Sequence, residues 1–122
     1  MPTGSVICVV DDDQDVRDSI GAFFRSAGID IHGFDGAEAL LASASLQVMA
    51  CLITDLHMPG MDGLELQREL RRKGYDVPVI LMTAFPTPEA RATARELGIA
   101  TFVTKPTDPE LLLEEVEALL AA

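Results

Sequence analysis

The sequence predicts an α/β domain whose parallel β-sheet is covered by helices on both faces. Two observations lead to this fold class. Short, continuous apolar runs alternate along the chain with longer segments in which apolar residues recur at helical spacing. Glycine, proline and aspartate occur where one kind of segment gives way to the other. Because 122 residues are the length of one ordinary domain, we expect residues 1–122 to form a single domain with its own core.

The first two predicted strands flank an amphipathic helix. Val6 to Val10 is a short apolar run, which is typical of a strand buried on both faces. Apolar residues then recur at helical spacing from Val16 to Ala27, and Gly28 stands where a helix commonly ends. A weaker strand is predicted around Ile29 to Phe34.

A short helix, the third strand and the third helix follow. Asp35, with Glu38 three residues later, predicts a capping box that starts a helix running through about Ala44. Met49 to Thr54 is the next buried strand. Leucines spaced among glutamates and arginines then predict an amphipathic helix that ends near Gly74.

The last two strands and helices have the clearest boundary signals. Val77 to Met82 is the fourth strand, and Thr87 followed by a proline starts the fourth helix, which Gly98 ends. Ala100 to Thr104 is the fifth strand, and the run Asp108 to Glu110 repeats the helix-start signal. Apolar residues form one stripe along the fifth helix: Leu112, Leu113, Val116, Leu119 and Leu120.

Five strands alternating with five helices predict a flavodoxin-like (βα)5 domain, doubly wound, with strand order 2-1-3-4-5. Strands 1, 3 and 4 are the most apolar, as central strands should be.

The composition excludes several classes of partner and location. A formal charge of −11 argues against direct binding to nucleic acid or to an anionic membrane, both of which need a surplus of lysine and arginine. No apolar run approaches the roughly 20 residues of a membrane span, and the first residues lack the basic segment of a signal peptide. Cys8 and Cys51 lie inside apolar runs and are expected to be small core residues. We expect a cytoplasmic protein.

Polar residues follow four of the predicted strands. Asp11, Asp12 and Asp13 follow strand 1, and Asp55 follows strand 3. Thr83 follows strand 4, and Lys105 follows strand 5. Because the carboxyl ends of parallel strands meet at one edge of a sheet, where ligands bind, we expect these side chains to gather there.

Several carboxylates at one place need either raised pKa values or a cation. Oxygen donors alone favour Mg²⁺ or Mn²⁺, and Mg²⁺ commonly binds one or two carboxylates together with a phosphate. A carboxylate can also be the nucleophile that forms an aspartyl phosphate, with a lysine balancing the phosphoryl charge. Taken alone, the run Asp11 to Asp13 is more typical of helix capping. Together with Asp55 and Lys105, we favour the metal for Asp11 and Asp12, and capping for Asp13.

Four motifs now carry a family resemblance. They are Val9-Val10-Asp11-Asp12-Asp13, the run Thr54-Asp55-Leu56-His57-Met58-Pro59-Gly60-Met61-Asp62-Gly63, Met82-Thr83-Ala84, and Thr104-Lys105-Pro106. In order and spacing they resemble the signature of response-regulator receiver domains of two-component systems. The amino-acid sequences that follow Val10 and Met58 are most similar to the FixJ-type branch.

The resemblance implies a phosphoacceptor switch rather than a metabolic enzyme. Asp55 matches the residue that takes a phosphoryl group from the phosphohistidine of a sensor histidine kinase, with self-phosphorylation from small donors and autodephosphorylation also implied. For Mg²⁺, Asp12 matches a direct ligand and Asp11 one that acts mainly through water. Asp55 and the backbone carbonyl of His57 match the remaining protein ligands.

The resemblance also implies how the signal leaves the domain. Thr83 and Lys105 match the residues that hold the phosphoryl group and report it, and Phe102 occupies the aromatic switch position. The output face is then built from helix 4, strand 5 and helix 5, and Lys105-Pro106 is expected to be cis. FixJ-type relatives usually carry a DNA-binding output domain that controls transcription. Whether this chain is a truncated or a stand-alone receiver, and whether it forms a homodimer on phosphorylation, stays open.

Four residues depart from the usual pattern of the family. Phe102 stands at the switch position, where tyrosine is commoner. Phe85 and Pro86 replace small or polar residues, and Thr107 replaces a frequent phenylalanine. Our hypothesis is that Phe85, together with His57, shields the acyl phosphate from water.

Two other functions are weighed against the switch. The first is a receiver-fold module that binds partners without phosphorylation, against which the complete acid, threonine and lysine set argues. The second is a Mg²⁺-dependent aspartyl-phosphate hydrolase, for whose substrate pocket 122 residues leave little room.

Overall fold

The computed structural model describes residues 6–99 and 101–121. The strands are β1 (Val6–Val10), β2 (Ile31–Phe34), β3 (Met49–Asp55), β4 (Val79–Thr83) and β5 (Thr101–Thr104). The helices are α1 (Gln14–Ser26), α2 (Ala37–Leu41), α3 (Gly63–Arg72), α4 (Pro88–Glu96) and α5 (Pro109–Ala121). Within these residues, the alternation of strands and helices follows the order expected from the sequence.

The strands form one parallel sheet in the order β2-β1-β3-β4-β5, which confirms the predicted topology. Its register brings the ends of the strands together. Val10 lies beside Thr54, so the residues that follow them, Asp11 and Asp55, leave the sheet side by side. Thr83 pairs with Thr104, which places Lys105 just beyond the same edge.

Two apolar layers cover the sheet. Alternate residues of β1 point to opposite faces, so Val6, Cys8 and Val10 pack with α2 and α3, and Ile7 and Val9 pack with α1 and α5. A smaller cluster lies under α4 and includes Leu81 and Phe102. Cys8 and Cys51 are both fully buried and belong to different faces of the sheet, as expected of core residues.

The start of α2 is where the sequence-based prediction was wrong. Gly36, not Asp35, is the N-cap, and it makes no side-chain capping hydrogen bond. Glu38 instead accepts a hydrogen bond from the backbone amide of Met61, 3.2 Å away in the loop after β3. The helix ends at Leu41 rather than near Ala44, and a 3₁₀ helix that the sequence did not reveal fills Ala44–Val48.

Two strands are shorter at their starts than predicted. The amide of Ile29 donates to the carbonyl of Phe24 and closes α1, so β2 begins only at Ile31. Pro78 has no N–H to give to the sheet, and β4 accordingly begins at Val79. The first residue of the predicted fifth strand, residue 100, lies outside the described residues.

The helix boundaries were predicted better. Asp13 and Thr87 are the N-caps of α1 and α4, as predicted, and Asp62 is the N-cap of α3; each side chain accepts a backbone hydrogen bond. Gly98 follows α4 with φ +75°, a conformation that costs glycine little. The stripe on α5 is buried at Leu112 and Val116, whereas Leu120 at its end is 49% exposed.

No helix among the residues that the structure describes is long and apolar enough to cross a membrane.

Candidate functional site

Asp11 is the buried acid at the centre of the site. It follows β1, and its side chain is fully excluded from solvent. One carboxylate oxygen, Oδ1, accepts a hydrogen bond from the amide of Asp13 at 2.9 Å. The other, Oδ2, lies 2.7 Å from Nζ of Lys105, but in a direction that makes no hydrogen bond, and it has no other partner among the described residues. An acceptor of this kind is able to bind a further positive group.

Asp55 ends β3 and is only 5% exposed. Its Oδ2 lies 3.3 Å from the Lys105 ammonium. Burial raises the pKa of Asp55, and the negative charge of Asp11 raises it further, while Lys105 opposes both. The pKa of Asp55 is raised overall, because burial and the charge of Asp11 together outweigh the opposing ammonium.

Lys105 is the cation of the site, and the backbone of β4 and β5 positions it. Its amide donates to the carbonyl of Thr83 at 2.8 Å, and its bond to Pro106 is cis, as expected. Burial lowers the pKa of the lysine, but the two carboxylates beside it, Asp11 and Asp55, together outweigh burial, so the pKa is raised overall. Lys105 is therefore a permanent positive charge at neutral pH.

The acidic residues fit a hard divalent cation. Asp11, Asp12 and Asp55 each offer a carboxylate oxygen within 4.8 Å of the others, and Asp12 is exposed to solvent. All three donors are oxygens, which suits Mg²⁺ or Mn²⁺ better than zinc. Oδ2 of Asp11 supports this fit, because it is buried and accepts no hydrogen bond even though the Lys105 ammonium lies 2.7 Å away.

Thr83 brings a hydroxyl to the same edge. Its side chain is fully buried, and its Oγ1 accepts a hydrogen bond from the amide of Phe85 at 3.0 Å. The hydroxyl proton remains free to be donated to a ligand. The bond also holds the loop after β4, which carries Phe85 past the site.

His57 and Phe85 lie next to one another at the rim. Their ring centroids are 6.3 Å apart with an interplanar angle of 64°, an edge-on arrangement. Phe85 is 71% exposed, and His57 is exposed as well. The two side chains expected to shield the acyl phosphate are therefore in contact range.

Phe102 lies in β5 beside Leu81, half-buried under α4. The guanidinium of Arg91, on α4, lies 4.6 Å from the centre of its ring, in cation–π contact. Phe102 lacks the hydroxyl that a tyrosine would have, and Arg91 provides a polar partner through the ring face instead.

Three residues near the site were not singled out in the sequence. They are Arg17, whose Nη1 donates to the carbonyl of Asp11 at 2.5 Å, Glu38, which holds the loop after β3, and Arg91. Each acts through a long side chain that reaches another element. The pattern of the sequence indicates which helix face such a residue occupies, but not which atom it contacts.

The comparisons with known proteins agree with this geometry. Residues 7–117 match the family model described as the response regulator receiver domain. The transcriptional regulatory protein FixJ of Azorhizobium caulinodans is 35% identical over 120 residues, 98% of this chain and 57% of that protein. The chain thus spans little more than half the length of this relative.

Solved structures agree as well. A crystal structure of FixJ-N has a TM-score of 0.84 at 30% identity, covering 95% of this chain and 93% of that one. A response regulator receiver protein from Pseudomonas putida has a TM-score of 0.87 at 32% identity, covering 97% of this chain and 99% of that one. These matches confirm the predicted fold and the similarity to FixJ. With a family match that covers most of its length, this chain belongs to the receiver domains of two-component response regulators.

Proposed function

We propose that this receiver is phosphorylated on Asp55 in a Mg²⁺-dependent reaction and switches the face formed by α4, β5 and α5. The observation that carries the proposal is the pairing of one ammonium, Lys105, with two buried carboxylates, Asp11 and Asp55, at the carboxyl edge of the sheet. A structural ion pair needs one acid; the second acid and the exposed Asp12 make sense as ligands of a cation.

The chemistry follows from the positions of these groups. A carboxylate oxygen of Asp55 attacks the phosphorus of a phosphohistidine, the new O–P bond forms, and the N–P bond breaks. Its electron pair remains on the imidazole nitrogen, which takes up a proton. Lys105 balances charge on the phosphoryl oxygens, and the Thr83 hydroxyl donates to one of them. Attack by water on the same phosphorus returns the carboxylate and releases phosphate, which is the autodephosphorylation we propose.

The metal would be held by Asp11, Asp12, Asp55 and the backbone carbonyl of His57. When bound, Mg²⁺ neutralises charge that develops on the phosphoryl oxygens. Within this set, Asp12 is the exposed member and the one most accessible to a hydrated ion, while Asp11 is buried and would act through water.

Switching would start from the atoms that meet the phosphoryl group. Thr83 and Lys105 leave adjacent strands, so a shift of either is transmitted to α4 and β5. Phe102 links those two elements through its packing under α4. We propose Thr83 and Phe102 as the switch residues, biased by the charge that phosphorylation adds.

The partners we propose are a sensor histidine kinase and an output domain or downstream effector. A cleft of about 500 Å³ opens beside Lys105, between α1 and the loop after β5. Such a cleft can seat an apolar side chain of the phosphodonor beside Lys105. Relatives nearly twice as long favour transcription as the output, through a DNA-binding domain in the remainder of such a protein. The chain itself, at −11, is proposed to bind neither nucleic acid nor membrane and to be cytoplasmic.

A homodimer on phosphorylation is a further part of this proposal. The exposed surface of α4 carries Arg91 and Arg95 together with Glu89 and Glu96, whereas α5 carries four glutamates and no basic residue: Glu110, Glu114, Glu115 and Glu117. Two copies related by a two-fold axis could place the two arginines of α4 in one copy near the glutamates of α5 in the other.

The test is intact mass after incubation with acetyl phosphate, with and without Mg²⁺. We expect the wild type to gain one phosphoryl group only with the metal, and Asp55→Asn to gain none. Size-exclusion chromatography of the same samples reports dimerisation. If the wild type gained nothing while a known receiver was labelled in parallel, the proposal would fail in favour of a phosphorylation-independent binding module. Sustained turnover of phosphomonoesters would favour a hydrolase instead.

A further inference from the structure

Arg17 holds the backbone of the residue on which the acidic site is built. It lies in the first turn of α1, and its Nη1 donates to the carbonyl oxygen of Asp11 at 2.5 Å. The amide of the same residue, Asp11, donates to the carbonyl of Phe34 in β2 at 3.1 Å. Both backbone groups of Asp11 are therefore bound, one to the sheet and one to α1.

The arginine side chain is itself held in place. Its aliphatic stem runs along β2, where the space that a β-carbon on Gly33 would occupy lies 3.6 Å from Cδ of Arg17. The side chain is half-buried, so part of its conformational freedom is already lost before any ligand binds. The guanidinium thus reaches the carbonyl of Asp11 from a side chain whose stem packs against β2.

The turn that Arg17 restrains carries two of the three acids. Asp11 and Asp12 are consecutive, and the amide of Asp13 donates back to the carboxylate of Asp11 at 2.9 Å. Arg17 itself closes the first turn of α1, since its amide donates to the carbonyl of Asp13 at 3.2 Å. One residue therefore contacts the turn at both ends, through its side chain and through its backbone.

We infer that Arg17 is a positioning residue for the divalent cation: its guanidinium fixes the turn from Asp11 to Asp13 so that the two acids face Asp55. The inference rests on the proposed function, because it requires that the acids bind Mg²⁺. Outer partners that orient metal ligands are known to change metal affinity by about 10–100-fold when they are removed.

The positive charge of Arg17, considered alone, would have the opposite effect on the affinity for Mg²⁺. A guanidinium close to the acids repels a cation, so removing its charge without any loss of position would make Mg²⁺ bind more tightly. Loss of position makes Mg²⁺ bind more weakly. The direction of the change therefore separates the two roles of Arg17.

Arg25 provides a matched control on the same helix. Its Nη2 donates to the carbonyl of Ile31 in β2 at 3.2 Å, the same kind of contact from an arginine to a backbone oxygen. Eight residues separate it from Arg17, which is about 12 Å along α1 and beyond the screening length of about 8 Å at physiological salt. Arg25→Met removes the same charge and the same donor far from the acids.

The experiment is a titration of the metal-free protein with Mg²⁺ at constant ionic strength, followed by backbone amide chemical shifts. We compare wild type, Arg17→Met, Arg17→Lys and Arg25→Met, with urea unfolding in EDTA as a check on folding. Methionine keeps the stem along β2 and removes the donors, and lysine restores one donor and the charge.

We expect Arg17→Met to bind Mg²⁺ about 10-fold more weakly, Arg17→Lys to recover part of the loss, and Arg25→Met to bind like wild type. Phosphorylation by acetyl phosphate in Arg17→Met should approach the wild-type rate once Mg²⁺ is saturating. If folded Arg17→Met bound Mg²⁺ as tightly as wild type, or more tightly, the inference alone would be overturned. A wild type that bound no Mg²⁺ would overturn the proposed metal site together with it.

Discussion

At the scale of single residues, the site depends on two buried carboxylates, Asp11 and Asp55, that share one ammonium. Two carboxylates about 4 Å apart repel each other by roughly 4 kcal/mol at an effective dielectric near 20. Asp11 and Asp55 have one ammonium, Lys105, between them, at 2.7 Å and 3.3 Å from their nearest oxygens. One positive charge does not balance two negative ones, and the remaining charge is what a cation would neutralise.

Phe85 gives a prediction at the same scale. We expect Phe85→Ala to shorten the half-life of the aspartyl phosphate by at least about threefold, equivalent to about 0.65 kcal/mol of barrier, because water then reaches the phosphorus more easily. The measurement is the loss of the phosphoryl mass over time after acetyl phosphate is removed.

Phe85→Leu is the control for that prediction. Leucine keeps an apolar side chain at the rim but cannot reproduce the edge-on contact with His57. An intermediate half-life is expected if bulk and the ring contact both contribute. An alanine variant whose phosphoryl group was lost at the wild-type rate would contradict the shield.

Asp11, Asp55 and Lys105 could be predicted from the sequence, because the exit of each parallel strand gives its position at one edge of the sheet. Arg17 could not. Its place on α1 is readable from helical spacing, but a long side chain has several carbonyls within reach. Only the folded register, which brings Gly33 beneath its stem, selects the carbonyl of Asp11.

At the scale of elements, the caps provide a test of how local sequence stabilises each helix. Asp62 accepts from the amide of Glu65 at 2.8 Å, and the Glu65 side chain accepts from the amide of Asp62 at 2.9 Å. Asp62→Ala should lower the free energy of unfolding by about 1 kcal/mol, because an N-terminal amide of α3 loses its acceptor. Urea unfolding measures this loss.

Asp62→Ser is the matched variant, because a serine hydroxyl is also a good N-cap acceptor. We expect it to retain most of the stability that alanine loses. Equal losses in the alanine and serine variants would show that the acceptor is not what matters, and that the carboxylate acts through its charge near the helix N-terminus.

The same kind of signal failed at α2, and the reason is physical. Asp35 and Glu38 have the spacing of a capping box, but a helix of five residues offers few internal contacts to hold that geometry. The Glu38 side chain instead accepts a hydrogen bond from the amide of Met61, 23 residues away in the loop after β3. Local spacing predicts a cap well where the helix is long and poorly where a tertiary contact competes.

At the scale of the whole molecule, the titration of the two cysteines tests whether the core on the two faces of the sheet excludes water. Cys8 and Cys51 lie on neighbouring strands and face opposite layers, and burial raises the pKa of each thiol to about 12. An exposed thiol in the unfolded chain has a pKa near 8.5. Above that pH, the unfolded state releases protons that the folded state retains.

The sign of the pH dependence follows from this difference. Stability from the protonated thiols is fully present below about pH 8.5 and is lost as pH rises toward the folded-state pKa, at about 1.4 kcal/mol per pH unit for each thiol. At pH 10 the loss is about 2 kcal/mol for each thiol, or about 4 kcal/mol together. We therefore expect the domain to be markedly less stable at pH 10 than at pH 7.5.

Urea unfolding of wild type and of the double variant Cys8→Ala and Cys51→Ala, at both pH values under reducing conditions, tests this. The variant should be less stable at pH 7.5, because alanine leaves small cavities, yet should lose about 4 kcal/mol less on going to pH 10. Lys105 also titrates at high pH, but it is present in both proteins and cancels in the comparison. If wild type and the double variant lost the same free energy of unfolding between pH 7.5 and pH 10, the thiols would have to be accessible to water in the folded domain. The apolar core on the two faces of the sheet, which positions the acidic site, would then not be dry.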